Sequence, residues 1–209
     1  MLSSSVKRFT ITLLLAVMCL SFFRVNVQAK AIFTGNSGID CAAEAIISRA
    51  SKEGMSKKEK LKACYTYIVK NMHYSHRDGR VKIKPTKAEK KAFKVKLKAL
   101  KTSGKITFSR KFKGDWRNLL TMKGTCKDMS GVMCILANHL GYKAGYKTGR
   151  FVRNNGSSVE HWWNWIRVGG KKLYCDVQAA NFGRYSKRRA NSYYLKSNGN
   201  RHWRRHHRG

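Results

Sequence analysis

Residues 124–140 read Gly-Thr-Cys-Lys-Asp-Met-Ser-Gly-Val-Met-Cys-Ile-Leu-Ala-Asn-His-Leu. Met129, Val132, Met133, Leu136, Ala137 and Leu140 recur at helical spacing, so this stretch reads as a helix with one buried face. Gly141 follows at once and is expected to end it. Gly124 and Thr125 form the turn that brings Cys126 onto the first turn of the helix. The N–H groups there have no intrahelical partner, and the helix dipole is positive. Both favour the thiolate, which is the nucleophilic form of cysteine.

A nucleophilic cysteine needs a base, and the base needs a group to orient it. Downstream, His161 opens His-Trp-Trp-Asn-Trp-Ile-Arg-Val, and Asp176 closes Lys-Lys-Leu-Tyr-Cys-Asp. Both segments alternate like strands, and Gly169-Gly170 reads as a hairpin turn between them. Counted from that turn, His161 and Asp176 fall at similar distances, so an antiparallel pair would set them side by side. Asp128 also lies close to Cys126, but in the first helical turn a carboxylate suits the dipole. Cys134 and Cys175 have no base nearby in sequence and read as buried packing residues.

These blocks carry a resemblance. Gly124-x-Cys126-x-Asp128 at a helix start, His161-x-Trp163-Asn164 on a strand, Gly-Gly, and Leu173-Tyr174-x-Asp176 on the next strand resemble the transglutaminase-like superfamily of papain-type cysteine enzymes. Lys60 to Tyr74 is similar to the helix before that family's core. Asn191 to Ser197 is similar to its closing segment. Arg77 to Gly114 has no counterpart among these motifs. The resemblance implies an α+β fold, in which an N-terminal helical hairpin and the nucleophile-bearing helix pack against an antiparallel β-sheet. It implies Cys126, His161 and Asp176 as the catalytic set, with Trp163 packed beside them. Gln178 stands where the family often has a small hydroxyl residue, and is expected to narrow or reshape the cleft. Trp116 is a further candidate for the cleft. No cofactor and no metal motif are read.

Before this core, Met1 to Ala29 looks like a secretory signal peptide: Lys7 and Arg8, the apolar run Phe9 to Phe23, then Val27-Gln28-Ala29 for cleavage. An uncleaved anchor is the alternative, though the run is short for a membrane span. Gly38 to Ala50 reads as a helix, and Ser56-Lys57-Lys58-Glu59 is a capping box that starts a second. The pair makes a helical hairpin. Cys41 and Cys64 stand at similar distances from its turn, either bridged or as two buried thiols. Lys82 to Lys84 reads as a short strand. Thr86 to Glu89 then starts a basic amphipathic helix with Ala88, Ala92, Phe93, Leu97 and Leu100 on one face. Lys105 to Lys113 alternates like a strand, and Asp115 to Leu120 like a short helix or turn.

After the cysteine helix, Lys143 to Phe151 and Glu160 to Val168 read as strands, joined through the loop at Asn154 to Ser158. The Arg- and His-rich end reads as a solvated tail, because its histidines lack cysteine or acidic partners. The expected organisation is a signal peptide over 1–29, one domain over 30–203 with a basic insert at about 77–114, and a basic tail over 204–209.

The chain has 209 residues and 45 Lys and Arg against 10 Asp and Glu, for a formal net charge of +35. Such a charge implies an acidic partner and says nothing about fold. An anionic cell-wall polymer is the first expectation, with nucleic acid as another polyanion. The reading is a secreted or envelope-associated bacterial monomer that acts on peptide or protein amides through a thioester. It uses either transglutaminase or protease/amidase chemistry. The alternative is a cationic binding module on the same fold without turnover. Gln178 is the sole glutamine after the signal segment, which excludes extensive self-crosslinking through glutamine donors.

Overall fold

The computed structural model describes residues 30–75, 83–109, 122–182 and 185–209. In chain order the elements are β1 (Ala31–Phe33), α1 (Ser37–Ala50), α2 (Lys57–Asn71), β2 (His73–Tyr74), α3 (Lys87–Thr102), β3 (Ile106–Phe108) and β4 (Lys123–Gly124). Then come α4 (Cys126–His139), β5 (Ala144–Val152), β6 (Ser158–Val168), β7 (Lys171–Cys175), α5 (Val177–Asn181), α6 (Lys187–Ser192), α7 (Arg201–His206) and β8 (His207–Arg208). The fold is α+β.

Helix α4 is the centre. Every residue from Met129 to His139 is buried. One side meets α1 and α2, and the other lies on β5 and β6. Leu140 caps the helix and Gly141 follows at φ 76°, a left-handed conformation that glycine takes without strain. The sheet runs β7-β6-β5-β8 and is antiparallel throughout. Gly169 and Gly170, at φ 55° and 77°, make the tight turn between β6 and β7. Two small parallel pairs, β1 with β3 and β2 with β4, lie outside this sheet. The main core joins the α1–α2 hairpin, α4 and the sheet.

Both capping boxes form, at Ser56 with Glu59 and at Thr86 with Glu89. Helix α3 is fixed at its start by Arg49, whose guanidinium donates to both Glu89 oxygens at 2.8 Å. In its middle the Lys96 ammonium lies 2.6 Å from Glu44. On its apolar face Phe93 is buried with Ala31, Phe33 and Cys41 in a small second core. The opposite face is exposed lysine.

Several expectations change. Cys41 and Cys64 are both free thiols. Cys41 faces the small core under α3 and Cys64 the main core, so the hairpin turns them apart. Ile83 and Lys84 form no strand. Ile83 packs into the main core, and the Lys84 carbonyl accepts from Arg49 instead of a ladder partner. Lys82, residues 110–113 and Asp115 to Leu120, with Trp116 among them, lie outside the described residues, as does the signal segment. No helix among the described residues is long and apolar enough to cross a membrane. The largest correction is at the C-terminal end. Residues 204–209 are no solvated tail: α7 packs Trp203 into the core, and β8 pairs with the edge of β5.

Candidate active site

The start of α4 is built by two short contacts. The Asp128 carboxylate accepts the Thr125 N–H at 2.7 Å and the Thr125 hydroxyl at 2.9 Å. It therefore serves the helix start, as a first-turn carboxylate should. A Cβ on Gly124 would lie 2.4 Å from the Asp128 Cβ, so only glycine lets the strand approach this closely. Strand β4 is held in turn by β2, with the Ser75 N–H donating to the Gly124 carbonyl at 3.0 Å. Cys126 emerges half-buried as the first residue of α4. Burial pushes Cys64 and Cys134 up to about 12 and raises Cys175 as well.

His161 lies on β6 facing the cleft, and its Nε2 is 2.6 Å from Asp176 Oδ2. Cys126 is near enough to influence its charge, and the two residues line the same cavity. With Nε2 committed to the acid, Nδ1 is the nitrogen left for the thiol. Burial alone would make His161 easier to deprotonate. The Asp176 charge and hydrogen bond, then Cys126, outweigh burial and raise it to about 10. Asp176 is fully buried, which disfavours its charged form. The charge of His161 and hydrogen bonds from His161 and His207 nevertheless hold it below the usual carboxylate range.

Asp176 reaches His161 by a route different from simple strand pairing. The register pairs Cys175 with Asn164, and β7 ends there. Asp176 stands one residue on, across from Trp163, and begins α5. Its Oδ1 accepts the Ala179 N–H at 2.9 Å. His161 is thus its diagonal neighbour on the same face. A second imidazole shares the carboxylate: His207 Nε2 is 2.8 Å from the same Oδ2.

Residues 82–179 match the family model described as "Transglutaminase-like superfamily", and the span contains Cys126, His161 and Asp176. This stretch of the chain is similar to the transglutaminase-like superfamily. The match begins inside the lysine-rich segment, which therefore has a counterpart in the family although its motifs alone revealed none. A solved structure described as "Crystal structure of a TGase" is similar at 17% identity and a TM-score of 0.44, over 82% of this chain and 38% of that one. The chain therefore spans about two fifths of that protein's length. No curated protein matches the chain.

The transglutaminase-like domain opens Cys126 and His161 onto a cavity of about 1130 Å³. Gln178 lines it, as its position beside Asp176 suggests, and so do Tyr74, Phe151 and Arg153. Trp163 does not line it. It is 2% exposed, stacked 6.2 Å from the His161 ring and edge-on to Trp203, so it is core behind the base. Trp116 lies outside the described residues.

Two contributors leave little trace in the sequence. Tyr74 comes from the short β2 and flanks the cleft. After burial, the charge of Cys126 is the main influence that raises its phenol. His207 comes from the Arg- and His-rich end, where Asn200 before Trp203 is the one cap signal. The Asn200 side chain does accept the Trp203 N–H at 3.1 Å. Among the described residues, His161, Asp176 and His207 form a group with ligand atoms within 4.8 Å of one another. Asp176 Oδ2 lies within hydrogen-bonding distance of both imidazoles, so the cluster is joined by its own hydrogen bonds.

Proposed function

We propose that this transglutaminase-like domain is a cysteine acyl-transfer enzyme that acts on peptide or protein amides. The observation that carries the reading is the position of His161, bonded to the buried Asp176 at 2.6 Å and sharing the wall of an open cavity with Cys126. Cys126 sulfur attacks the amide carbonyl and a C–S bond forms. His161 gives its proton to the departing amine as the C–N bond breaks. An amine or water then gives a proton back to His161, attacks the thioester and releases the thiolate. Asp176 keeps the imidazole oriented and stabilises its charged form. The Cys126 N–H, at the free end of α4, suits the developing oxyanion.

The charge supports a second part of the proposal, retention near an anionic polymer after export. Lys87, Lys91, Lys94, Lys98 and Lys101 are all exposed and follow one another along a single face of α3. Like charges at these spacings weaken a helix on its own. Here α3 is fastened to the body by Phe93, Glu44 and Arg49, and the lysine face is presented outward.

Mass spectrometry tests the chemistry. The protein is incubated with glutamine-bearing and wall-type peptides, with and without a primary amine, beside Cys126→Ala. Amine adducts that vanish in the variant establish transglutaminase activity. Cleaved or deamidated peptides that vanish establish hydrolysis. If no product depends on Cys126, and Cys126 alkylates no faster than Cys41, the enzyme reading fails and the cationic binding module takes its place.

A further inference from the structure

The Asp176 carboxylate is held from three directions. Oδ1 takes the Ala179 N–H, while Oδ2 takes His161 at 2.6 Å and His207 at 2.8 Å. Two of these contacts are local to β6, β7 and α5. The third arrives from the far end of the chain, and the surrounding sequence is fitted to deliver it.

Strand β8 pairs with β5, with Phe151 opposite His207 and Arg150 opposite Arg208. Gly149 makes that approach possible, because a Cβ there would lie 2.4 Å from the Arg208 carbonyl oxygen and 2.5 Å from the Trp163 ring. The His207 ring lies flat on Trp203, with centroids 3.7 Å apart and planes 4° from parallel. It meets Phe151 and Trp163 edge-on. Its Nδ1 is 3.2 Å from the Trp203 carbonyl oxygen and its Nε2 faces the Asp176 carboxylate. Both partners can only accept, so each ring nitrogen faces an acceptor. A buried, stacked and doubly bonded imidazole is far more fixed than packing alone requires. It also occupies the remaining lone pair of the oxygen that orients His161.

We propose that His207 is a positioning residue of this site. It locks the Asp176 carboxylate so that one oxygen faces His161 in a single geometry, and it draws on the same negative charge that His161 uses. Its effect on the thiol passes through Asp176 and His161, without contact with substrate. The proposal rests on the acyl-transfer reading for its consequence in catalysis, but the coupling of the two imidazoles is measurable without turnover.

The test uses the full chain, His207→Phe and His207→Gln. Phenylalanine keeps a flat ring for the Trp203 stack and removes both donors. Glutamine gives up the ring and keeps an N–H near the Nε2 position. The readouts are the rate of Cys126 alkylation by iodoacetamide across pH, and the titration midpoint of the His161 ring by nuclear magnetic resonance with labelled histidine. His207→Phe is expected to alkylate about tenfold more slowly at neutral pH, with the His161 midpoint displaced by at least half a unit. His207→Gln is expected to restore most of both. A folded His207→Phe with wild-type alkylation and an unmoved His161 midpoint overturns the proposal. Should Cys126 prove inert in the wild type, the enzyme reading falls, and the His161 midpoint alone still decides this one. Should His207→Phe fail to fold, the labelled wild type decides: a slowly exchanging proton on His207 Nε2 sustains the bond to Asp176, and its absence overturns it.

Discussion

At the scale of the residue, two carboxylates near Cys126 have separate tasks. Asp128 fastens the start of α4 through Thr125, whereas Asp176 is fully buried against His161. Asp128→Ala is expected to cost about 1 kcal/mol of stability, the value of a helix-start contact, and to leave Cys126 alkylation within severalfold. Asp176→Asn is expected to leave the fold intact and slow amide turnover by about a thousandfold or more, because the imidazole loses the group that fixes its tautomer. Turnover of one peptide by both variants, beside their melting curves, checks the pair. The acid and base also set a pH dependence. Below the unfolded value of about 6.5 the raised His161 contributes fully, and its contribution is lost as pH climbs toward about 10. Asp176, held low, contributes fully above about pH 4 and loses its contribution on further acidification. Stability from the pair therefore peaks between about pH 4 and 6.5. Denaturant melts across pH should show this dependence, and Asp176→Asn should flatten it.

At the scale of the element, α3 is a basic helix fastened by acids. Glu44 joins it to the core: one oxygen meets Lys96, and the other lies 3.1 Å from His139 Nδ1, while Asp40 is 3.0 Å from His139 Nε2. Burial opposes the charged form of Glu44, yet His139 and Lys96 lower its pKa overall. Glu44→Gln leaves His139 and Lys96 short of a partner and is expected to cost about 3 kcal/mol in a urea titration. Replacing Lys87, Lys91, Lys94 and Lys98 by Gln should barely change that titration. It should reduce the salt dependence of binding to a single-stranded polyanion by about 0.7 in the logarithmic slope per lost contact. Elements that rest on nearby residues are legible in the sequence. The capping boxes at Ser56 and Thr86, the apolar stripe of α4 and the Gly169-Gly170 turn each declare themselves within a few positions. Elements made by distant partners are not. Strands β1, β2, β3, β4 and β8 have two or three residues each and exist because a remote strand meets them. The Arg- and His-rich composition around Trp203 is what a solvated tail also has. Only burial against Trp163 and Tyr174 overrides it. Asp176 was legible as the acid beside His161, but its approach through the start of α5 depends on where β7 stops.

At the scale of the whole molecule, the chain has a net charge of +35, and most of the acids among the described residues are spent internally. Asp40, Glu44, Glu89, Asp128 and Asp176 all hold partners within the protein. Self-repulsion then works against the folded state. The melting temperature is expected to rise by several degrees as sodium chloride goes from about 10 to about 200 mM, since the screening length falls from about 30 to under 10 Å. A short polyphosphate should produce the same rise at far lower concentration, and a flat response to both would remove the role assigned to repulsion. The placement of β8 bears on timing. A ribosome makes Cys126, His161 and Asp176 before it makes His207, so an emerging chain holds these three before it holds the second imidazole on Asp176. Full setting of the pocket therefore waits until residue 207 has been made and β8 has met β5.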